Sequence, residues 1–392
     1  MKNKNPFCFN KSNVVFFLKK ECVLIIAVLL AIITSFFSCP KVSYVNFKVL
    51  ILLFNLMIVI GAFRKLRILD SLALFLLKKC KNMRSVTFAL VFITFFVSMI
   101  ATNDVSLLTF VPLTIILADK TKTNMMKVII LETIAANIGS SLTPVGNPQN
   151  LYIYAKYNIS ALEFFNITGK FVLLGMVFLI LLILFQKSNK INIVMEDVKI
   201  IGTFKPILYL FLLLLVILSV FNLIDYRLVF AIVLFVVFVF DKDLFLKVDY
   251  SLILTFVGFF IFVGNISNME FIKDFMKNLL STGKSTYISS ILCSQIISNV
   301  PATMLITGFT NKYKEILLGV NIGGLGTIIA SLASLISYKF YCGSDMGNSA
   351  SKIYDDVKSS SDYLKTFSIY NFILLAIFTI IFYIFIWFAY IS

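Results

Sequence analysis

Four short stretches hold the side chains that could do chemistry. They are Ala101-Thr102-Asn103-Asp104-Val105-Ser106, Asn137 to Asn150 (NIGSSLTPVGNPQN), Ser298-Asn299-Val300-Pro301-Ala302-Thr303, and Asn321-Ile322-Gly323-Gly324-Leu325-Gly326-Thr327. Each interrupts an otherwise apolar run. A break of this composition frees carbonyls that can coordinate a small cation and N–H groups that can hold an anion. Hydroxyl and amide oxygens suit Na+ or a similar hard cation. Asn103, Asn137, Gly139, Asn147, Asn299 and Asn321 would supply backbone and amide ligands. Thr102, Ser140, Thr143, Gly146, Ser298, Thr303, Gly323 and Gly324 complete the candidate binding set. Gly323 to Gly326 also reads as a helix-packing face, and the two readings are compatible.

Two acids lie inside apolar segments, Asp104 and Glu132. A carboxylate at bilayer depth costs about 2.5–3.5 kcal/mol on insertion scales and so reads as functional. Asp104 is expected to be an ion ligand or proton acceptor, with Asn103 and Asn137 as its companions in a Na+ site. Asn103 or Asp104 also suits the N-cap of a helix. Glu132 has two readings, a functional acid or the partner of a lysine near the cytoplasmic end. The chain has no histidine, and its six cysteines contain no CxxC pair. Zinc sites, disulfide frameworks and Ser-His catalysis are therefore not expected, and the protein is not read as an enzyme. No GxxxxGK[ST] motif is present, so ATP does not drive this chain directly.

The 392 residues are 60% hydrophobic and only 14% charged, with a mean hydropathy of +0.97. A soluble domain is about 45–50% apolar and about 25% charged. The apolar runs reach helix-spanning length, unlike the alternating strands of roughly ten residues in an outer-membrane barrel. The class is an all-α polytopic membrane protein of the inner or plasma membrane, with the lipid bilayer as its surroundings. The net charge of +16 comes from basic residues between apolar segments, the pattern of cytoplasmic loops and not of a nucleic-acid face. Lys19 and Lys20 precede an apolar stretch from Cys22 to Phe37 with no small-x-small cleavage site, which reads as a first membrane helix.

Spans of about 20 apolar residues fall near 21–38, 45–63, 161–186, 205–223, 227–240, 249–268 and 367–391. Leu66 to Leu77 and Met269 to Leu280 read as short interfacial helices. The broken segments are 85–117, 127–157, 285–310 and 315–341. From residues 21 and 227 alike, the order is span, span, interfacial helix, broken segment, broken segment, span. This is a repeat of about 165 residues, and the odd connector at 205–223 inverts the second copy. Inverted repeats with discontinuous helices are the architecture of secondary transporters. The organisation is a cytoplasmic tail (1–20), a first membrane repeat (21–186), a cytoplasmic loop and connector (187–226) and a second repeat (227–392). If 85–117 and 285–310 are re-entrant hairpins and the amino terminus is cytoplasmic, the cytoplasmic stretches hold 25 of the 35 basic residues. That arrangement has nine spans plus two hairpins, with the carboxyl terminus outside.

TNDVSLLTFVPL, NIGSSLTPVGNPQN, SNVPATMLI and NIGGLGTIIASLASL, in this order, resemble the ion transporter superfamily of arsenite permeases, citrate and dicarboxylate carriers and sodium/proton antiporters. They look most like its citrate-transporter-like, anion permease branch. The resemblance runs from about residue 20 to 391. It implies two inverted repeats whose hairpin tips and helix breaks build the substrate and ion sites, with an elevator-like movement. It also carries the expectation of a homodimer. Dicarboxylate carriers have Ser-Asn-Thr at both tips, where this chain has Thr102-Asn103-Asp104 and Ser298-Asn299-Val300. Asp104 would repel a dianion, which shifts the expected substrate toward a neutral or weakly charged oxyacid such as arsenite. The expected activity is secondary transport of a small inorganic or organic anion. The alternative is a sodium/proton antiporter. No cofactor is expected beyond Na+ or H+ as coupling ion.

Overall fold

The computed structural model describes residues 21–186, 188–190, 200–344 and 360–389. The tail 1–20, most of the loop 187–199 and the stretch 345–359, all expected on the cytoplasmic side, lie outside the described residues. Every regular element described is helical, apart from one isolated bridge between Asn82 and Lys190.

The first half comprises α1 (Cys22–Ser35), α2 (Phe47–Lys65), α3 (Ile68–Leu77), α4 (Met83–Ala101), α5 (Asn103–Thr121), α6 (Met126–Ser140), α7 (Pro148–Tyr157) and α8 (Ala161–Leu184). After α9 (Phe204–Val220) come α10 (Tyr226–Phe240), α11 (Tyr250–Ile266), α12 (Glu270–Leu279), α13 (Gly283–Ile297), α14 (Asn299–Thr307), α15 (Tyr313–Gly323), α16 (Leu332–Gly343) and α17 (Ser360–Ala389).

Local chemistry sets these boundaries. Asn82 and Ser85 form a capping box that starts α4, and Thr282 and Ser285 form the same device at the start of α13. Arg67, in the left-handed region at φ 59°, turns the chain from α2 into α3. Arg64 and Lys65 complement the carbonyl end of α2. The described part of α17 begins at Ser360, seven residues before the apolar run at 367, and carries Asp362 near that end.

The packing is that of an apolar solvent. In α10, Val229, Val233 and Val237 recur every fourth residue and are fully buried, while Leu228, Phe235 and Phe238 face outward. Among the described residues, four helices, α2, α4, α8 and α17, are individually long and apolar enough to cross a membrane. α11 and α12 meet at 100°, so the amphipathic segment expected at 269–280 is a separate short helix. α4 packs along α6 and α13 along α15, while α1 packs along α11 and α2 along α9 and α10. α5 lies against α16, and α14 against α7. Each half thus lends its hairpin arm to the broken helix of the other.

Candidate functional site

The two hairpins turn on a single residue each. Thr102, between α4 and α5, has φ 67° and ψ 153°; Ser298, between α13 and α14, has φ 74° and ψ 154°. Non-glycine residues in that region cost of order 1–3 kcal/mol and persist only where the surroundings enforce them. The same unfavourable backbone therefore recurs at both tips, each followed by an asparagine that opens the next helix. The interruption is shorter than the polar motif, because Asn103-Asp104 and Asn299-Val300 already belong to α5 and α14.

Asn103 fixes the first tip. Its N–H donates to the Gly146 carbonyl at 3.0 Å and its Nδ2 to Asn137 Oδ1 at 3.2 Å. Asn137 then reaches into the second half. Its Oδ1 accepts from Ser331 Oγ (2.9 Å), and its Nδ2 donates to Ser334 Oγ (3.2 Å) and the Gly324 carbonyl (3.4 Å). The reciprocal arrangement starts from Asn321. Its Nδ2 donates to Asn150 Oδ1 (2.7 Å), and its Oδ1 accepts from Asn147 Nδ2 (3.2 Å). Asn147 also caps α7 by accepting from the Asn150 N–H (2.9 Å) and donates to Ser140 Oγ (3.3 Å). Asn150 spans the break, donating to the carbonyls of Ser140, Ser141 and Thr143. All these amides are buried, and none carries charge.

The structure brings Asn103, Asn137, Ser140, Gly146, Asn147, Asn321 and Gly324 into one network. Ser298 and Asn299 adjoin it: Ser298 Oγ donates to the Ala330 carbonyl (3.4 Å), and a Cβ on Gly324 would lie 3.1 Å from Asn299 Nδ2. Thr102 caps α5 only weakly, at 3.5 Å from the Val105 N–H. Thr143 donates to the Met99 carbonyl, tying the break to α4, and Thr303 donates back to the Asn299 carbonyl (2.7 Å). Gly139 and Gly323 have a packing role: an added Cβ would sit 2.2 Å from the Phe95 carbonyl oxygen and 2.8 Å from Ser294 Cβ. They bring α6 onto α4 and α15 onto α13. Asp104 is half-buried beside the tip, and its N–H donates to Asn103 Oδ1 (3.0 Å). Its carboxylate makes no ion pair among the described residues.

Several participants escaped the sequence reading. Asn150 lay within the quoted motif but was not singled out. Ser331 and Ser334 lay within the quoted stretch NIGGLGTIIASLASL but were likewise not singled out. Gln295 is the fullest omission. Its amide donates to the carbonyls of Gly323 (2.7 Å) and Leu325 (3.1 Å) and accepts the Thr327 N–H (2.9 Å), closing the second break. A glutamine in an apolar segment was the available signal. Glu132 pairs with no lysine; its partner is the Thr114 hydroxyl.

A cavity of about 520 Å³ lies beside α5, lined by Arg64, Lys65, Asp70, Thr109, Pro112 and Lys247 among others. Its α5 wall is the face that carries Asp104 one to two turns nearer the tip.

Comparison with known proteins gives the family. A profile described as citrate transporter matches residues 14–312. An uncharacterised transporter of Methanocaldococcus jannaschii is 36% identical over 322 residues, covering 80% of this chain and 86% of that protein. The inner membrane protein YbiR of Escherichia coli is 28% identical over 257 residues, 61% of this chain and 64% of that one. A Dictyostelium discoideum protein bearing the transporter name arsB is 30% identical over 165 residues, 42% of this chain and 29% of that one. With the profile covering most of its length and the four polar breaks meeting in one buried network, the chain belongs to the citrate transporter family.

Proposed function

We propose that the protein is a secondary active carrier of a small, weakly charged oxyanion or oxyacid, working in the inner or plasma membrane as two inverted repeats. The observation that carries this reading is the convergence of four helix starts, those of α5, α7, α14 and α16, on one uncharged cluster of amides. Helix starts present unsatisfied N–H groups and the positive end of the dipole, which suits an anion. The starts of α14 and α16 have no side-chain cap, so their N–H groups are open to a solute oxygen. The ends of α6 and α15 meet in the same place and offer carbonyls to a coupling cation, Na+ or H+.

The recurrence of capping box, hairpin turn, packing glycine and broken helix supports the inverted repeat with its nine spans and two re-entrant hairpins. In this arrangement Arg64, Lys65 and Lys247 line a cytoplasmic vestibule that draws anions toward the tip of the first hairpin. Asp104 sets a limit on substrate charge, since a dianion would meet a carboxylate at the tip. The unpaired state of Asp104 also supports the alternative of a sodium/proton antiporter, in which this acid carries Na+ and H+ in turn.

The test is solute counterflow in proteoliposomes with arsenite, sulfate, citrate and succinate, each with and without Na+ and pH gradients. The expected result is saturable, gradient-driven uptake of one oxyacid, lost in Asn137→Ala and Asn299→Ala. Asp104→Asn abolishes flux altogether if the protein is an antiporter and leaves an uncoupled solute pathway if it is an anion carrier. Non-saturable flux, or none for any solute or Na+, overturns the carrier reading.

A further inference from the structure

Among the described residues, Glu132 is the one carboxylate with no exposed surface, and it lies outside the cluster just described. Five residues before Asn137 on α6, it sits about 7.5 Å along the helix axis from the solute site. Thr114 Oγ lies 2.9 Å from Glu132 Oε1 and 3.0 Å from Oε2. A threonine hydroxyl has one hydrogen and can donate to only one of these oxygens at a time. The second contact is satisfied when the carboxyl carries its own hydrogen and donates it to Thr114 Oγ. Among the described residues no lysine or arginine acts on the group from an element packed on α6; the nearby titratable neighbour is Tyr363 of α17. A carboxylate left ionised here would be an unpaired buried charge, which costs several kcal/mol.

The surroundings continue in two directions. Toward the solute site, α6 and α16 share a polar seam: Thr133 Oγ donates to Ser337 Oγ at 2.8 Å, and one turn on, Asn137 Nδ2 donates to Ser334 Oγ. Away from it, the Tyr363 hydroxyl is fully buried, close to the Thr133 hydroxyl and within electrostatic reach of Glu132, and among the described residues no group meets it in full hydrogen-bond geometry. The Tyr363 ring stacks on Tyr341 at 4.7 Å, and Tyr341 lies within reach of Asp362 in the exposed first turn of α17.

Building on the carrier reading, we propose that Glu132 is a proton-binding site, so that H+ is a coupling ion of this transporter and travels along the α6/α16/α17 seam. The carboxyl releases its proton toward Tyr363, Tyr341 and the Asp362 surface in one conformation and regains one through the Ser334–Ser337 side in the other. Thr114 holds the loaded acid in the apolar interior. The Tyr363 hydroxyl, on the ring that stacks against Tyr341, is the relay. The acid and both hydroxyls are recovered unchanged after each cycle.

Two measurements on the full-length protein test this. Infrared spectroscopy at neutral pH is expected to show the carbonyl stretch of a protonated carboxyl, shifted in D2O and absent in Glu132→Gln. This readout needs no knowledge of the solute. In proteoliposomes loaded with a pH dye, Glu132→Gln is expected to lose solute-driven proton flux while keeping solute counterflow. Tyr363→Phe is expected to slow proton flux while leaving the infrared band in place. Absence of the band overturns the proposal, as does wild-type proton flux in Glu132→Gln or loss of counterflow together with flux. If wild-type protein moves none of the test oxyacids, the carrier reading falls, while the band still decides whether Glu132 is a proton site.

Discussion

Two buried asparagines give a direct comparison, because one is fully engaged and the other is engaged by nothing. Asn137 makes four hydrogen bonds, three at 3.2 Å or shorter and one at 3.4 Å. At about 1 kcal/mol net for an ordinary bond, with the longest counted as negligible, Asn137→Ala costs about 3 kcal/mol. That corresponds to roughly a hundredfold in any equilibrium that depends on the assembled network. Asn55 of α2 is also fully buried, yet neither its Nδ2 nor its Oδ1 has a partner. Leaving that amide unsatisfied costs about 1–3 kcal/mol, and leucine fills a similar volume, so Asn55→Leu stabilises by about 1–2 kcal/mol. Thermal unfolding of purified protein in detergent, with solute counterflow on the same preparations, reads both. At roughly 2 °C per kcal/mol, Asn137→Ala lowers Tm by about 6 °C and abolishes counterflow, and Asn55→Leu raises Tm by a few degrees with counterflow intact. A fall in Tm for Asn55→Leu, or an unchanged Tm for Asn137→Ala, would refute the hydrogen-bond accounting on which the site is built.

Other substitutions test the same framework. Gly139→Ala places a Cβ 2.2 Å from a backbone carbonyl and is expected to cost more than about 2 kcal/mol, whereas Gly169→Ala on α8 meets nothing within 4 Å and gains about 0.5–1 kcal/mol of helix propensity, both read as Tm. Ser298→Gly relieves the strained tip and is expected to raise Tm slightly, while the β-branched Ser298→Val lowers it by several degrees. At the end of α10, burial pushes the Asp241 carboxyl up, but Lys65 at 2.7 Å, Lys205 at 2.9 Å and the Tyr209 hydroxyl at 3.0 Å outweigh it and hold the group below the usual range. A folded-state value that is lowered gives stability present above the unfolded value and lost as pH falls through the folded one. Asp241→Asn is therefore expected to lower Tm at neutral pH by the equivalent of about 2–3 kcal/mol, less than for a fully enclosed pair because both lysines are partly exposed. The gap to wild type closes only in acid.

Hydropathy and punctuation made most of the helices legible. Apart from the last, whose helix is described from seven residues earlier, the apolar spans begin and end within a few residues of the observed helices, and Asn, Thr, Gly and Pro mark the breaks because they act through local geometry. What local geometry cannot convey is who pairs with whom. Asn137 and Asn321 could be recognised as polar groups in a membrane, yet their partners Ser331, Ser334, Asn147 and Asn150 lie about 170 to 200 residues away. Gly139 was legible only as a ligand and Gly323 as a ligand or part of a packing face, and the structure adds close helix contact at both. That distinction depends on how close α4 and α13 approach, which no single sequence states. Glu132 was open to a lysine partner for the same reason, since several lysines lie near it in sequence, whereas among the described residues its hydrogen-bond partner is Thr114.

The distribution of charge across the molecule explains why the centre is built from amides. Ionic contacts occur at the ends of helices: Lys65 and Lys205 on Asp241, and Lys314 with Tyr313 on Glu163. Water at those ends lowers the desolvation cost of each ion. At the breaks an ion pair would have to repay the full cost of leaving water, and removing either partner would strand the other. An amide has both a donor and an acceptor and no net charge, so its bonds of 3.2 Å are each worth about 1 kcal/mol and can be exchanged singly for bonds to another polar group. A carrier must hold its solute without trapping it, because binding tight enough to be irreversible would end the cycle. Joining the halves through exchangeable amides, with ionic contacts kept to the edges, meets that requirement: the frame stays fixed while the centre can trade partners.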